Sequence, residues 1–275
     1  MADTARLAIN LATIREQCGL AEAIPLCARM GIRAVAPWRD QVAATGLRET
    51  RRLLRDYGLE VSGLCRGGMF PAAERAERRR RIDDNRRAIE EAATLGAPCL
   101  VLVCGGLPPG SRDLDGARHM VEDGIAEILD DAAAAGVRLG IEPLHPMYAA
   151  DRSVIVTLAQ ALDICDGLGG GAPVGVVLDV YHVWWDPDLS RQIERAGSRI
   201  LGFHLCDWLV PTRDLLLDRG MMGDGVIDLP AIRRRVEAQG YRGWHEVEIF
   251  SARDWWKRPP EEVISVCIER HALHC

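Results

Sequence analysis

Four stretches of the 275-residue chain close an apolar run with groups that can bind a metal or carry a proton. They are Ile141-Glu142-Pro143-Leu144-His145-Pro146, Leu178-Asp179-Val180-Tyr181-His182, Phe203-His204-Leu205-Cys206-Asp207-Trp208 and Glu246-Val247-Glu248-Ile249-Phe250-Ser251. A charged side chain inside an apolar strand is costly unless it is paired or bound to a cation. Any single one could serve a structural ion pair. Three carboxylates and one imidazole delivered to one place would repel each other, and a hard divalent cation among them resolves the conflict. Oxygen ligands with one nitrogen suit Mn2+, Mg2+ or Co2+ better than a thiolate-seeking ion. One divalent metal ion is therefore expected, with Mn2+ the first choice.

Bringing those ends together requires a particular set of elements. A glycine followed by a short apolar run recurs seven times, at Gly31, Gly58, Gly96, Gly136, Gly171, Gly197 and Gly240. Each follows an amphipathic stretch long enough for about three helical turns. Glycine suits a helix C-cap, where φ is positive, and runs rich in Val, Ile and Leu suit strands buried on both faces. With the opening segment Arg6-LAINLATI the pattern gives eight strands, each followed by a helix. The helices are expected at roughly 20–30, 41–57, 72–95, 115–135, 153–168, 188–196, 230–239 and 260–273. That is an α/β chain folded as a (β/α)8 TIM barrel, a single domain over residues 1–275. A doubly wound sheet would open on a Gly-rich turn, which Asn10-LATIREQCG lacks. In a barrel the active site lies at the C-terminal ends of the strands, so all four stretches reach one rim. The arginine run at 72–87 reads as a solvated helix face, with Glu74–Arg78 and Glu77–Arg81 as i,i+4 pairs. Residues 209–229, after the seventh strand, form the longest connection and read as a lid.

Composition narrows the function further. Net charge is −6, which offers no footprint for a nucleic-acid backbone. No uninterrupted apolar stretch is long enough to span a membrane, and the N-terminus lacks the pattern of a secretory signal. Nine cysteines without a Cys-x-x-Cys pair read as reduced thiols in a cytoplasmic protein. The basic set is 33 arginines and one lysine, Lys257, so Schiff-base chemistry and a P-loop are disfavoured. Seven tryptophans exceed three phenylalanines. Trp184, Trp185 and Trp208 sit at the rim, where they could line a sugar pocket or a subunit interface.

In IEPLHP, LDVYHVWWDP, FHLCDW, RGMMGDGVID and GYRGWHEVEIFS the chain resembles the xylose-isomerase-like superfamily, in its sugar phosphate isomerase and epimerase group of ketose 3-epimerases and inosose isomerases. The resemblance covers essentially the whole barrel and implies a metal-binding quartet of Glu142, Asp179, His204 and Glu248. Strand parity alone cannot choose Glu248 over Glu246. The family's Val-Glu-[Ile/Val]-Phe pattern selects Glu248. The resemblance also implies substrate contacts from His182 and Arg219, and acid/base roles for Glu142 and Glu248. Rim position adds His145, Arg66 and Trp208 as substrate-binding candidates.

The activity implied is metal-dependent isomerisation or epimerisation of a sugar or cyclitol, through proton abstraction beside a carbonyl and a metal-stabilised enediolate. The runner-up is a lyase or deglycosidase that eliminates the aglycone of a 3-keto glycoside. An apurinic endonuclease would need further histidines on strands three and four, which end in Leu64-Cys65-Arg66 and Val103-Cys104-Gly105-Gly106. A non-catalytic sugar-binding barrel would have little need of the full quartet. The expected partner is a small sugar or cyclitol, with no nucleic acid, no membrane and a homo-oligomeric state of two or four chains.

Overall fold

A computed structural model describes residues 5–275. The strands that form the central ring are β1 (Leu7–Asn10), β2 (Ala34–Ala36), β3 (Glu60–Val61), β4 (Leu64–Gly68), β5 (Cys99–Val103), β6 (Arg138–Ile141), β7 (Val174–Asp179) and β8 (Ile200–Leu205). A short antiparallel pair, β9 (Asp207–Trp208) and β10 (Arg219–Gly220), follows, and β11 (His245–Val247) completes the ring. The parallel sheet runs β3-β2-β1-β11-β8-β7-β6-β5-β4. Its two end strands, β3 and β4, are halves of the expected third strand, interrupted at Ser62-Gly63. β3 pairs with β2 and β4 with β5, and the ring closes through Trp38 bridging Cys65, where Cys65 N–H donates to Pro37 O at 3.1 Å. The fold is thus a nearly closed TIM barrel.

The surrounding helices are α1 (Leu20–Arg29), α2 (Arg39–Thr45), α3 (Leu47–Asp56), α4 (Arg75–Leu95), α5 (Leu114–Glu127), α6 (Leu129–Ala135), α7 (Leu158–Gly167), α8 (Val180–Val183), α9 (Leu189–Ala196), α10 (Leu229–Ala238) and α11 (Pro260–His274). Two expected helices are each split. The 41–57 stretch divides at Gly46, whose φ of 94° cannot continue a helix, and the 115–135 stretch divides at Ile128. The stretch expected from 153 begins only at Leu158, because Thr157 caps it by accepting from Gln160 N–H at 3.2 Å. Six of the seven expected glycines do take positive φ. Gly169 replaces Gly171 after α7. On α4, Ile82, Asn85, Ala88, Ile89, Ala92 and Leu95 face inward, and its arginines face outward to Glu77, Asp83, Glu127 and Asp131. Of the two expected pairs there, Glu77–Arg81 forms at 3.1 Å, whereas Arg78 turns back to the Ala72 and Ala73 carbonyls.

Strands β1, β5 and β7 are buried at every position, as strands covered on both faces must be. Inside the ring, Cys65, Cys99, Val101 and Val177 make an apolar layer against Trp38 and Leu201. Gly140 gives this layer room: a Cβ there would lie 2.6 Å from both Cys99 Sγ and Val177 Cγ2. Glu142, Asp179, His204 and Glu248 lie at or near the C-terminal ends of their strands.

Candidate metal centre

Glu142 follows β6, Asp179 ends β7, His204 lies near the end of β8 and Glu248 follows β11. Their four ligand atoms lie within 4.8 Å of one another, and all four residues are buried. The geometry resolves the parity question. Glu248 belongs to this cluster, while Glu246 sits behind it and holds the far side of the imidazole, with His204 Nε2 at 3.3 Å from Glu246 Oε1. Glu246 is itself fixed by Asn10 Nδ2 at 2.8 Å and Ser62 Oγ at 2.6 Å. Such a carboxylate behind a histidine sets which nitrogen faces the ligand site. Asn10 also donates to Glu248 Oε1 at 3.1 Å and accepts from Trp38 Nε1 at 2.7 Å, so β1 and β2 steady the glutamates of β11.

The charge balance calls for a cation. Glu142, Asp179, Glu246 and Glu248 are 5% exposed or less, and the one fixed positive charge among them is Arg219. Burial raises the Glu142 carboxyl to about 7, although its contact with His204 acts the other way. Burial would also raise Glu248, but His204 and Arg219 together hold it at about 2. Burial alone would lower His204, yet Glu246, Glu142 and Glu248 around it hold its pKa well above the usual histidine value. Glu142 Oε1 and His204 Nδ1 are 3.2 Å apart, and neither makes a properly oriented hydrogen bond. Two buried, unsatisfied ligand atoms facing the same point, in an oxygen-rich set, fit a divalent metal site.

Arg219 enters from the loop after β8. Its backbone is held by the β9–β10 pairing and by its N–H donating to Phe250 O at 2.9 Å. The guanidinium lies between the rings of Tyr181, at 4.4 Å, and Phe250, at 5.0 Å. It donates from Nη1 to Asp179 Oδ2 at 2.9 Å and Glu248 Oε2 at 3.1 Å. His182 stands beside it. Its Nδ1 lies 3.2 Å from the His145 amide, and its Nε2 lies 3.6 Å from Asp179 Oδ2 and 3.2 Å from Arg219 Nη2. Burial drives the His182 pKa down to about 3, so the ring is neutral.

A narrow cleft over the quartet is lined by Glu142, Glu248, His182, Arg219, Tyr148, Arg152, Trp38, Leu144, Val103, Phe250 and Leu216. Among the sequence-derived candidates, His182 and Arg219 line it. His145 and Trp208 do not; they stack on each other at 5.0 Å behind Tyr181. Arg66 lines an adjoining cavity that shares Trp38. Sequence reasoning missed Asn10, Trp38, Tyr148 and Arg152.

The 209–225 loop already covers the cleft. The hydroxyls of Tyr148 and Tyr181 both donate to Leu215 O, the second at 2.8 Å. Leu215 packs on Val103, Leu144 and Tyr148. The far end of the loop is organised by Asp207, a rim carboxylate outside the quartet. It accepts from the amides of Trp208 (2.8 Å), Gly223 (3.0 Å), Gly225 (2.9 Å) and Ile227 (3.0 Å).

A parallel barrel with a buried carboxylate–histidine cluster at its C-terminal mouth defines a TIM barrel whose mouth fits a divalent metal. This chain belongs to the xylose isomerase-like TIM barrel family, which matches residues 24–267. It is 29% identical over 209 residues to a 3-dehydroshikimate dehydratase of Pseudomonas aeruginosa, covering 74% of this chain but only 31% of that protein. It is 26% identical over 220 residues to the 3-dehydro-D-guloside 4-epimerase of Escherichia coli K12, covering 74% of this chain and 77% of that one. Among solved structures, protein SMc04130 of Sinorhizobium meliloti 1021 is 64% identical, with a TM-score of 0.97 and 99% of each chain covered. The named curated relatives are enzymes, a dehydratase and an epimerase. No helix among the described residues is long and apolar enough to cross a membrane.

Proposed function

We propose that this protein is a divalent-metal-dependent enzyme that moves a proton beside the carbonyl of a sugar or cyclitol, as an epimerase or isomerase. Glu142, Asp179, His204 and Glu248 would hold the metal, with Mn2+ the preferred ion. The observation that carries the reading is the convergence of Glu142, Asp179, His204 and Glu248 on one buried point at the barrel mouth, with the facing atoms of Glu142 and His204 left without a hydrogen bond. The cation would supply Lewis acidity toward the carbonyl and neighbouring hydroxyl oxygens, which makes the adjacent carbon more acidic. Glu142 and Glu248 form the acid/base pair: one carboxylate removes the proton, and a proton is delivered from the other's side of the fragment. The neutral imidazole of His182 and the fixed fork of Arg219 line the cleft as groups for substrate oxygens. The lid around Leu215 and Leu216 keeps water from the reacting carbon.

Elimination is the second reading, favoured by the likeness to a dehydratase. It begins with the same proton abstraction and ends in loss of a β-substituent, water or an aglycone, in place of reprotonation. Turnover of ketoses, inososes and 3-keto glycosides in D2O with Mn2+ tests both. Deuterium at the carbon beside the carbonyl with the skeleton intact supports epimerisation or isomerisation, and an unsaturated product supports elimination. Retention of the original C–H label would refute proton transfer.

A further inference from the structure

Arginines in this protein are consistently satisfied. Every buried or half-buried arginine among the described residues donates at least one hydrogen bond, with two exceptions, Arg66 and Arg152. Neither of these pairs with a carboxylate, and both stand at the catalytic mouth. Arg152 lines the cleft with Glu142, His182 and Glu248. Arg66 lines the adjoining cavity, which shares Trp38 with the cleft. There the contrast is direct: Arg15, Arg39, Arg80 and Arg81 line the same cavity, and each is tied to Asp40, Asp84, Glu91 or Glu77.

The backbone holds both residues in these places. Arg66 is the extra residue where the β4–β5 register shifts between Cys65 and Gly67, and a bulge at a barrel rim re-aims a side chain out of the ladder. Arg152 belongs to the loop after β6, which packs on Gly105-Gly106. Its carbonyl accepts from Gly105 N–H at 3.0 Å, and a Cβ on Gly106 would lie 2.5 Å from Ala150 O. The Arg152 side chain rests against Tyr148, 5.5 Å from the ring centre.

We propose that Arg66 and Arg152 form a subsite for an anionic group of the substrate, a carboxylate or a phosphate, attached to the fragment that the quartet engages. The assignment rests on the metal-dependent carbonyl chemistry proposed above and specifies its substrate class. A half-buried guanidinium without an acceptor is unfavourable, and two near each other repel. An oxyanion between them satisfies both forks and offers the planar geometry that arginine recognises best. In agreement, burial lowers the proton affinity of Arg66 and the charge of Arg152 lowers it further, while Arg152 also acts on His182 across the cleft.

The test is calorimetric titration of the Mn2+-loaded protein with D-fructose, D-fructose 6-phosphate, D-fructuronate and inorganic phosphate. It is repeated with Arg66→Gln and Arg152→Gln, whose metal content and thermal midpoint are measured alongside. The expected result is an anionic probe bound at least ten-fold tighter than D-fructose, with each variant weakening it roughly ten- to hundred-fold. Metal content should not change. Which anion wins identifies carboxylate or phosphate. Anions bound no tighter than D-fructose, or a preference that survives in both variants, overturns the subsite. Failure of the underlying reading shows differently, as absent metal or absent deuterium uptake while variant-sensitive anion binding persists.

Discussion

Replacing Arg219 by methionine tests the charge balance of the site directly. Its guanidinium is 3% exposed and bonds Asp179 and Glu248 at 2.9 and 3.1 Å, between two aromatic rings. Methionine fills much of that slot but leaves the two carboxylates facing each other in a buried space. Removing one partner of a buried ion pair costs about 3–5 kcal/mol. For a chain of this size each kcal/mol corresponds to roughly 2–4 °C. The metal-free variant should therefore melt roughly 6–20 °C below wild type by calorimetry. Saturating Mn2+ should shrink the deficit, because the dication neutralises the same oxygens. With metal restored, kcat/KM should still fall by roughly 10–150-fold, the loss of one charged hydrogen bond to substrate. Equal melting of wild type and variant without metal would refute the view that Arg219 balances Asp179 and Glu248.

Elemental analysis should find close to one divalent ion per wild-type chain and none in Glu142→Gln or His204→Ala; Glu246→Gln should keep the site but bind roughly 10–100-fold more weakly, because it only orients His204. Metal affinity should depend on pH with a definite sign. Metal-free Glu142 keeps its proton up to about 7 because it is buried, and His204 keeps its own to higher pH. Those protons must leave on binding, so the Kd for Mn2+ should weaken about ten-fold for each pH unit below 7 per proton released, and titrations in buffers of different ionisation enthalpy should show the release. The double variant Tyr148→Phe, Tyr181→Phe should raise hydrogen exchange over residues 209–217 without substrate, by roughly 30-fold if each lost bond is worth about 1 kcal/mol; unchanged exchange would mean the tyrosines do not hold the lid.

The barrel was legible because each helix announces its end with glycine and each strand is an apolar run, both local signals. Charged groups interrupting such runs at matching ends pointed to a metal-type cluster, and the family resemblance, not the pattern, picked Glu142, Asp179, His204 and Glu248 as its members. What escaped the sequence was non-local. Glu246 and Glu248 share a face, and only Asn10, Ser62 and His204, from three other strands, separate their roles. Tyr148 and Arg152 lie in a loop with no periodicity, and their importance arises from contacts across the mouth. The break at Ser62-Gly63 divides a strand that composition alone reads as continuous. Residues 209–229 read as a lid from their length alone, and the two tyrosines that hold it over the cleft gave no local signal.

The four amides gathered by Asp207 give that closed loop two unequal halves. Residues 221–227 are rooted in a buried carboxylate, and Arg219 is stitched to Trp208 and Phe250 just before them. The Leu215–Leu217 half is tethered to the rest of the mouth by the two tyrosine hydroxyls and one bond from Ala252 N–H to Leu217 O. A flap that swings on this division can admit and discharge small molecules while the guanidinium stays seated on Asp179 and Glu248. On the proposed reading, traffic through the mouth and retention of the ion would be governed by separate fastenings.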